Sequence, residues 1–168
     1  MKQRIRVYQP EDHSACKALW VELTQRHRDI YGDPTIGGDD PGQGLDAYLS
    51  NPDRRVTWVA EIGGQVVGMA GLIAHGEEGE VEPVVVARPY RCQGVGRMLV
   101  EEALSHARKM RIRFLSVRPV ARNVEAISFF VEAGFNIVGH IDLFQDLADS
   151  SGRDWKTGIA VHGKQLRY

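Results

Sequence analysis

The sequence predicts an α+β fold: one domain spanning residues 1–168, with a mixed, mostly antiparallel central sheet of about seven strands flanked by helices. Three observations predict it. Residues 55–62 and 65–74 are strand-like runs on either side of Gly63-Gly64, a strong hairpin signal, and a third run at 80–87 extends them into a meander. The run Val84, Val85, Val86 then meets Pro89 and a glycine-rich stretch, followed by helical spacing and a further strand-like segment. A strand, helix, strand crossover of this kind yields parallel neighbours, so the sheet is mixed. Finally, a chain of 168 residues suits one domain able to bury roughly two-thirds of its unfolded surface.

In chain order, RIRVY at 4–8 alternates apolar and polar residues as a short strand does, and Gln9-Pro10 ends it. Ala15, Ala18, Leu19 and Leu23 describe an amphipathic helix running from Glu11 to about His27. Gly, Pro and Asp dominate 28–44, which reads as a long irregular loop, and a short helical patch is expected at 45–51. After the meander, Met98, Leu99, Ala103, Ala107 and Met110 place a helix at about 94–110, leading to a strand at 112–117. A further helix, about 124–133, directs Ala126, Ile127, Phe130 and Val131 to the core and stops at Gly134. Two last strands are expected at about 135–145 and 154–162, separated by the turn-rich ADSSGR.

Composition excludes several classes. With 21 basic and 22 acidic residues interspersed, the net charge is −1, which offers no global attraction to nucleic acid or to a membrane. No window approaches the ~18 apolar residues of a membrane span, and the polar start lacks a secretory apolar stretch, so a cytoplasmic location is expected. Two cysteines make no disulfide framework, and the six histidines show no metal-ligand spacing, so no metal is expected.

The chemistry concentrates at 81–97, VEPVVVARPYRCQGVGR. Gly94 and Gly96, in the spacing R-x-x-G-x-G from Arg91, let the backbone pass close to a ligand. The unpaired N–H groups of the helix's first turn lie in this loop, an arrangement that suits a phosphate or diphosphate.

These features resemble the GNAT superfamily of acyl-CoA-dependent N-acyltransferases. The likeness rests on V-V-V-A-R-P-Y before the loop, R-C-Q-G-V-G at 91–96, and N-V-E-A-I-S-F-F-V-E-A-G-F at 123–135, in order and separated by one helix and one strand. The resemblance implies acetyl-CoA as co-substrate. It implies that backbone groups of Val84, Val85 and Val86 pair with the pantetheine arm. Backbone N–H groups of Arg91, Cys92, Gln93, Gly94, Val95, Gly96 and Arg97 would take the diphosphate, with the Arg91 and Arg97 side chains as further partners. Asn123 matches the family's arm-contacting asparagine, and Ala126, Phe129 and Phe130 would line the arm's path. The implied reaction is direct attack of a primary amine, on a small molecule or peptide, at the thioester carbonyl. A homodimer is a fair expectation from the family.

Many members carry tyrosine where this chain has Phe130, as the acid for the leaving thiolate. Tyr31 and Tyr48 are the replacement candidates in the acceptor-side segment. For the base, Glu82 is the candidate: by strand parity it faces as Val84 and Val86 do. Glu82 equally fits a solvated strand residue. Glu77, Glu78 and Glu80 read as a solvated turn, the acidic 37–40 segment as a flexible loop, and Trp20, Trp58 and Trp155 as core aromatics. Cys92 lies beside a helix start, yet at a position where backbone does the binding; His75 and His140 are isolated. A dinucleotide-binding domain fails because Leu99 replaces the third glycine of G-x-G-x-x-G and no acidic residue follows on the next strand. An acyl-CoA-binding sensor without turnover is the alternative that the missing tyrosine supports.

Overall fold

A computed structural model describes residues 3–145, 147 and 155–168. Strands β1 (Gln3–Val7), β2 (Arg54–Ile62), β3 (Gln65–His75), β4 (Glu78–Val86) and β5 (Phe114–Ser116) form one sheet in that spatial order. The first four are antiparallel, and β5 lies parallel to β4. The β2–β3 hairpin turns through Gly63 and Gly64, at φ 59° and 85°, torsions that favour glycine in a tight hairpin. Helices α1 (His13–Tyr31) and α2 (Gln43–Leu49) cover one face, and α3 (Val95–Lys109) covers the other.

Strand periodicity divides the core. Trp58, Ala60, Val67, Ala70, Leu72 and Val81 point to α3, where they meet Val95, Leu99, Ala103 and Ala107. Val59, Met69 and Val85 point the other way, to Cys16, Leu19, Leu45 and Tyr48. Leu99 is fully buried beside the helix start, so the glycine loop hangs from a rigid element.

Helix α1 begins after a single 3-10 turn, Pro10–Asp12, and runs four residues past the expected end at His27. The stretch RHRDIY contains nothing that stops a helix. The terminator is Gly32, at φ 63°. The loop expected at 28–44 therefore shrinks, and α1 side chains hold it. Arg28 donates to the carbonyls of Ile36 and Gly38 at 2.9 and 2.8 Å. Lys17 pairs with Asp40 at 3.1 Å, and Asp40 also accepts the Gly42 N–H at 2.9 Å. The acidic 37–40 segment is thus a bonded turn rather than a loose acidic strand of chain.

The seven strands among the described residues do not share one sheet, a second correction. Five form the central sheet, while β6 (Thr157–Val161) and β7 (Lys164–Arg167) make a separate hairpin. No strand forms at 135–145, where Ile137, Val138, Leu143 and Phe144 are exposed, and β5 is shorter than the expected 112–117. Helix α4 (Val124–Glu132) consequently buries Phe130 but leaves Val131 and Ile127 on its outer side. The expected ADSSGR turn lies outside the described residues.

Candidate active site

The parallel ladder between β4 and β5 lasts three residues, from Glu78↔Phe114 to Glu80↔Ser116. Beyond it the chain leaves β5 toward Pro119, which has no N–H to continue the ladder. Strand β4 from Val81 to Val86 thus has β3 on one side and an open edge on the other. An open edge accepts an extended, amide-bearing ligand as a further strand.

At the end of that edge a 3-10 turn, Arg88–Tyr90, delivers the chain to the glycine loop. Gly94 caps α3 at φ 81° and ψ −5°, and Cys92 also has positive φ, 58°. Buried Val95 pins the helix start, while Cys92, Gln93 and Gly94 stay exposed. The first helical bond runs from the Met98 N–H to the Gly94 carbonyl. Among the described residues, no acceptor bonds the amides of Cys92, Gln93, Gly94, Val95, Gly96 or Arg97. These six open N–H groups at a helix N-terminus make a backbone cradle of a kind that suits an anion.

The side chains of the loop are engaged elsewhere. Arg91 donates from Nε to the Val86 carbonyl at 2.9 Å and from Nη2 to Glu22 at 2.6 Å. Arg97 pairs with Glu101 at 2.9 Å, and Gln93 donates to the Pro89 carbonyl at 2.9 Å. Phe129 flanks the cradle: a Cβ on Gly96 would meet its ring at 3.4 Å. Phe130 is buried between Phe129 and Phe135, with ring centroids 5.1 and 5.9 Å away. The Asn123 side chain accepts the Ala126 N–H at 3.2 Å, capping α4, and Ala126 is half-buried.

Strand parity fails for Glu82. The register steps from Ala70↔Val84 to Leu72↔Val81, so Gly71 faces both Glu82 and Pro83 across a bulge. The extra residue puts Val81, rather than Glu82, on the face of Val84 and Val86, and Glu82 belongs to the α2 side. Tyr48 of α2 reaches the same bulge. Its hydroxyl pairs with Thr57 Oγ1 at 2.9 Å and lies so close to Gly71 that a Cβ there would overlap it. Burial pushes the Tyr48 hydroxyl up to about 12, against the partial relief of its bond to Thr57. Tyr31, the other candidate, lies under the Arg122 guanidinium at 5.0 Å.

Glu80 is the residue that sequence reasoning misplaced. It lies on β4, as the run at 80–87 implies, but is not a solvated turn residue: its side chain is only 16% exposed, with Arg118 at 3.4 Å. Burial raises its carboxyl above the ordinary value, the Arg118 charge opposes that, and neighbouring Glu82 adds to it. The signal was present: Glu78, Glu80 and Glu82 alternate with Gly79 and Val81, a period-2 pattern. Glu82 is thus close enough to interact with both Glu80 and Tyr48. Elsewhere, Cys92 is exposed, and Cys16 is buried, with its thiol pushed up to about 12 by that burial. Trp58 is core, whereas Trp155 packs on Phe144 and under Arg122. Among the described residues no group of metal-ligating side chains occurs, and no helix is long and apolar enough to cross a membrane.

Residues 15–135 match the model of the acetyltransferase (GNAT) family. The fold is also that of several solved proteins. An aminoglycoside N-acetyltransferase, AAC(6')-Iy, in complex with CoA superposes with a TM-score of 0.66 at 14% identity, over 88% of this chain and 96% of that one. A ribosomal-protein-alanine N-acetyltransferase from Brucella melitensis gives 0.63 at 24% identity, over 78% and 83%. A transcriptional regulator from Bacillus halodurans gives 0.65 at 17% identity, over 87% and 100%.

Proposed function

Because this chain belongs to the GNAT acetyltransferase family, we propose that it moves an acetyl group from acetyl-CoA directly to a primary amine of a small molecule or peptide. The observation that carries this reading is the pairing of an open strand edge, Val81 to Val86, with six unbonded amides at the start of α3. One suits the amide-bearing arm of the donor, and the other suits its diphosphate. With the Val86 carbonyl held by Arg91, the arm pairs along Val84 rather than at the strand's last carbonyl.

The amine must lose a proton to attack. Glu82, with Glu80 beside it, supplies carboxylates on the side of the bulge reached by α2, and burial tunes Glu80 upward, in the direction a base near neutral pH needs. The nitrogen bonds to the thioester carbonyl, the C–S bond breaks, and the thiolate leaves. Phe130 has no proton to give. Tyr48 is a poor donor as well: from about 12, transfer to a thiolate of pKa about 8.5 is uphill by roughly 3.5 units. The thiolate therefore leaves as such, or takes up the amine's proton after the carboxylate has relayed it. Tyr48 instead fixes the bulge through Thr57 and Gly71.

The test is turnover of acetyl-CoA with a panel of amines (amino sugars, polyamines, amino acids and peptide N-termini), reading free thiol. Thiol release that depends on the amine and falls in Glu82→Gln and Glu80→Gln supports the reading. Tight CoA binding with no release for any amine favours the alternative, an acyl-CoA-binding sensor, for which Phe130 is the motivating residue.

A further inference from the structure

Glu22 lies in the middle of α1, 69 residues from the cofactor loop in sequence, and the described fold gives it an unusual set of partners. Its Oε1 accepts two donors from the entry to that loop: the Arg88 backbone N–H at 2.9 Å and Arg91 Nη2 at 2.6 Å. The same guanidinium donates from Nε to the Val86 carbonyl at 2.9 Å. One carboxylate thus ties the last residue of β4, the 3-10 turn and the first residue of the R-x-x-G-x-G stretch to a helix packed on β3 and β4.

A lone carboxylate beside a diphosphate site would repel the ligand. Here its charge is met by Arg91 and by a backbone amide, so the local field stays favourable to an anion while the backbone is held. The Glu22 and Arg91 side chains are 34% and 36% exposed, and an ion pair so open to water contributes little to global stability. What the arrangement does fix is direction. Arg91 N–H has only a long bond of its own, 3.4 Å to the Arg88 carbonyl, and the next six amides have none among the described residues, so the shape of the cradle depends on where residues 88 and 91 are held.

We propose that Glu22 is a positioning residue for the acyl donor: acting through Arg91 and the Arg88 amide, it holds the loop's open amides in the shape that receives the diphosphate. This rests on the acyl-CoA reading above. It also makes α1, the helix whose far end carries the 32–42 loop, the physical link between donor loop and acceptor side.

The experiment is calorimetric titration of CoA into the wild-type chain, Glu22→Gln, Arg91→Gln and the double variant, with thermal unfolding of each free protein. Glu22→Gln should raise the CoA Kd about tenfold, roughly one charge-assisted hydrogen bond, with the unfolding midpoint nearly unchanged. The double variant should lose less than the product of the two single losses, because both substitutions break the shared Glu22–Arg91 bond. Unchanged or tighter binding in Glu22→Gln, or losses that multiply in the double variant, would overturn the assignment. A wild-type chain that binds no CoA refutes the acyl-CoA reading and this role together. Wild-type binding that Glu22→Gln leaves intact refutes this role alone.

Discussion

Gly94→Ala tests whether the loop's shape is a backbone property. Gly94 sits at φ 81° and ψ −5°, and an added Cβ would meet nothing within 4 Å. Alanine therefore meets no steric obstacle, and the whole cost is torsional, about 1–2 kcal/mol for a non-glycine residue in the left-handed region. That strain has two outlets. If the loop keeps its shape, the free protein loses the full amount, and its unfolding midpoint falls by about 2–4 °C per kcal/mol, as expected for a chain of this size. If the loop relaxes, the protein keeps its stability, but CoA must restore the strained shape on binding. The Kd then rises by up to about 5- to 30-fold, the equivalent of 1–2 kcal/mol. The two losses, measured by urea unfolding and by CoA titration, should sum to about 1–2 kcal/mol however they divide. A variant that matches the wild type in both would refute the claim that this position needs a left-handed glycine.

Two further outcomes follow from the charged groups. Glu80 has a folded-state carboxyl raised above its ordinary value of 4.5, first by burial, so the folded state binds this proton more tightly than the unfolded state does. Ionising it costs stability as pH rises above 4.5, and Glu80→Gln should be the more stable protein at pH 7 to 8, by an amount that vanishes in acid. A denaturant midpoint lower in the variant at pH 8 would contradict this. Asp12 has the opposite sign: Arg6, at 2.6 Å, holds its carboxyl below the usual value of 3.8. Its contribution is complete above that value and is lost as pH falls further. Asp12→Asn at neutral pH should cost about 1.5–3 kcal/mol in urea unfolding, the range of a hydrogen bond between charged groups, because the half-buried Arg6 keeps only Glu61. A loss below about 1 kcal/mol, the range of a surface pair, would show that the ion pair between β1 and the start of α1 is only a surface contact.

By itself, the sequence determined the elements whose cause is local. Paired glycines between β-rich runs define the β2–β3 hairpin, because few other residues take two successive positive φ values. Helical spacing behind Gly94 places α3, and with it the open amides, because a helix start leaves its first N–H groups unpaired wherever it occurs. The motif order across 81–135 was legible for the same reason and led to the right family. Tertiary structure alone decided what depends on partners distant in sequence. Parity counting put Glu82 on the wrong face because a bulge is a property of two strands, here Gly71 of β3 against Glu82 and Pro83 of β4. Glu80 looked solvated because its burial comes from how β4 meets β5 and Arg118, and the tie of Arg91 to Glu22 was hidden because the two residues stand 69 apart in sequence. Nor could the sequence at 135–145 show whether the expected strand forms there, since a strand exists only where an edge pairs with it.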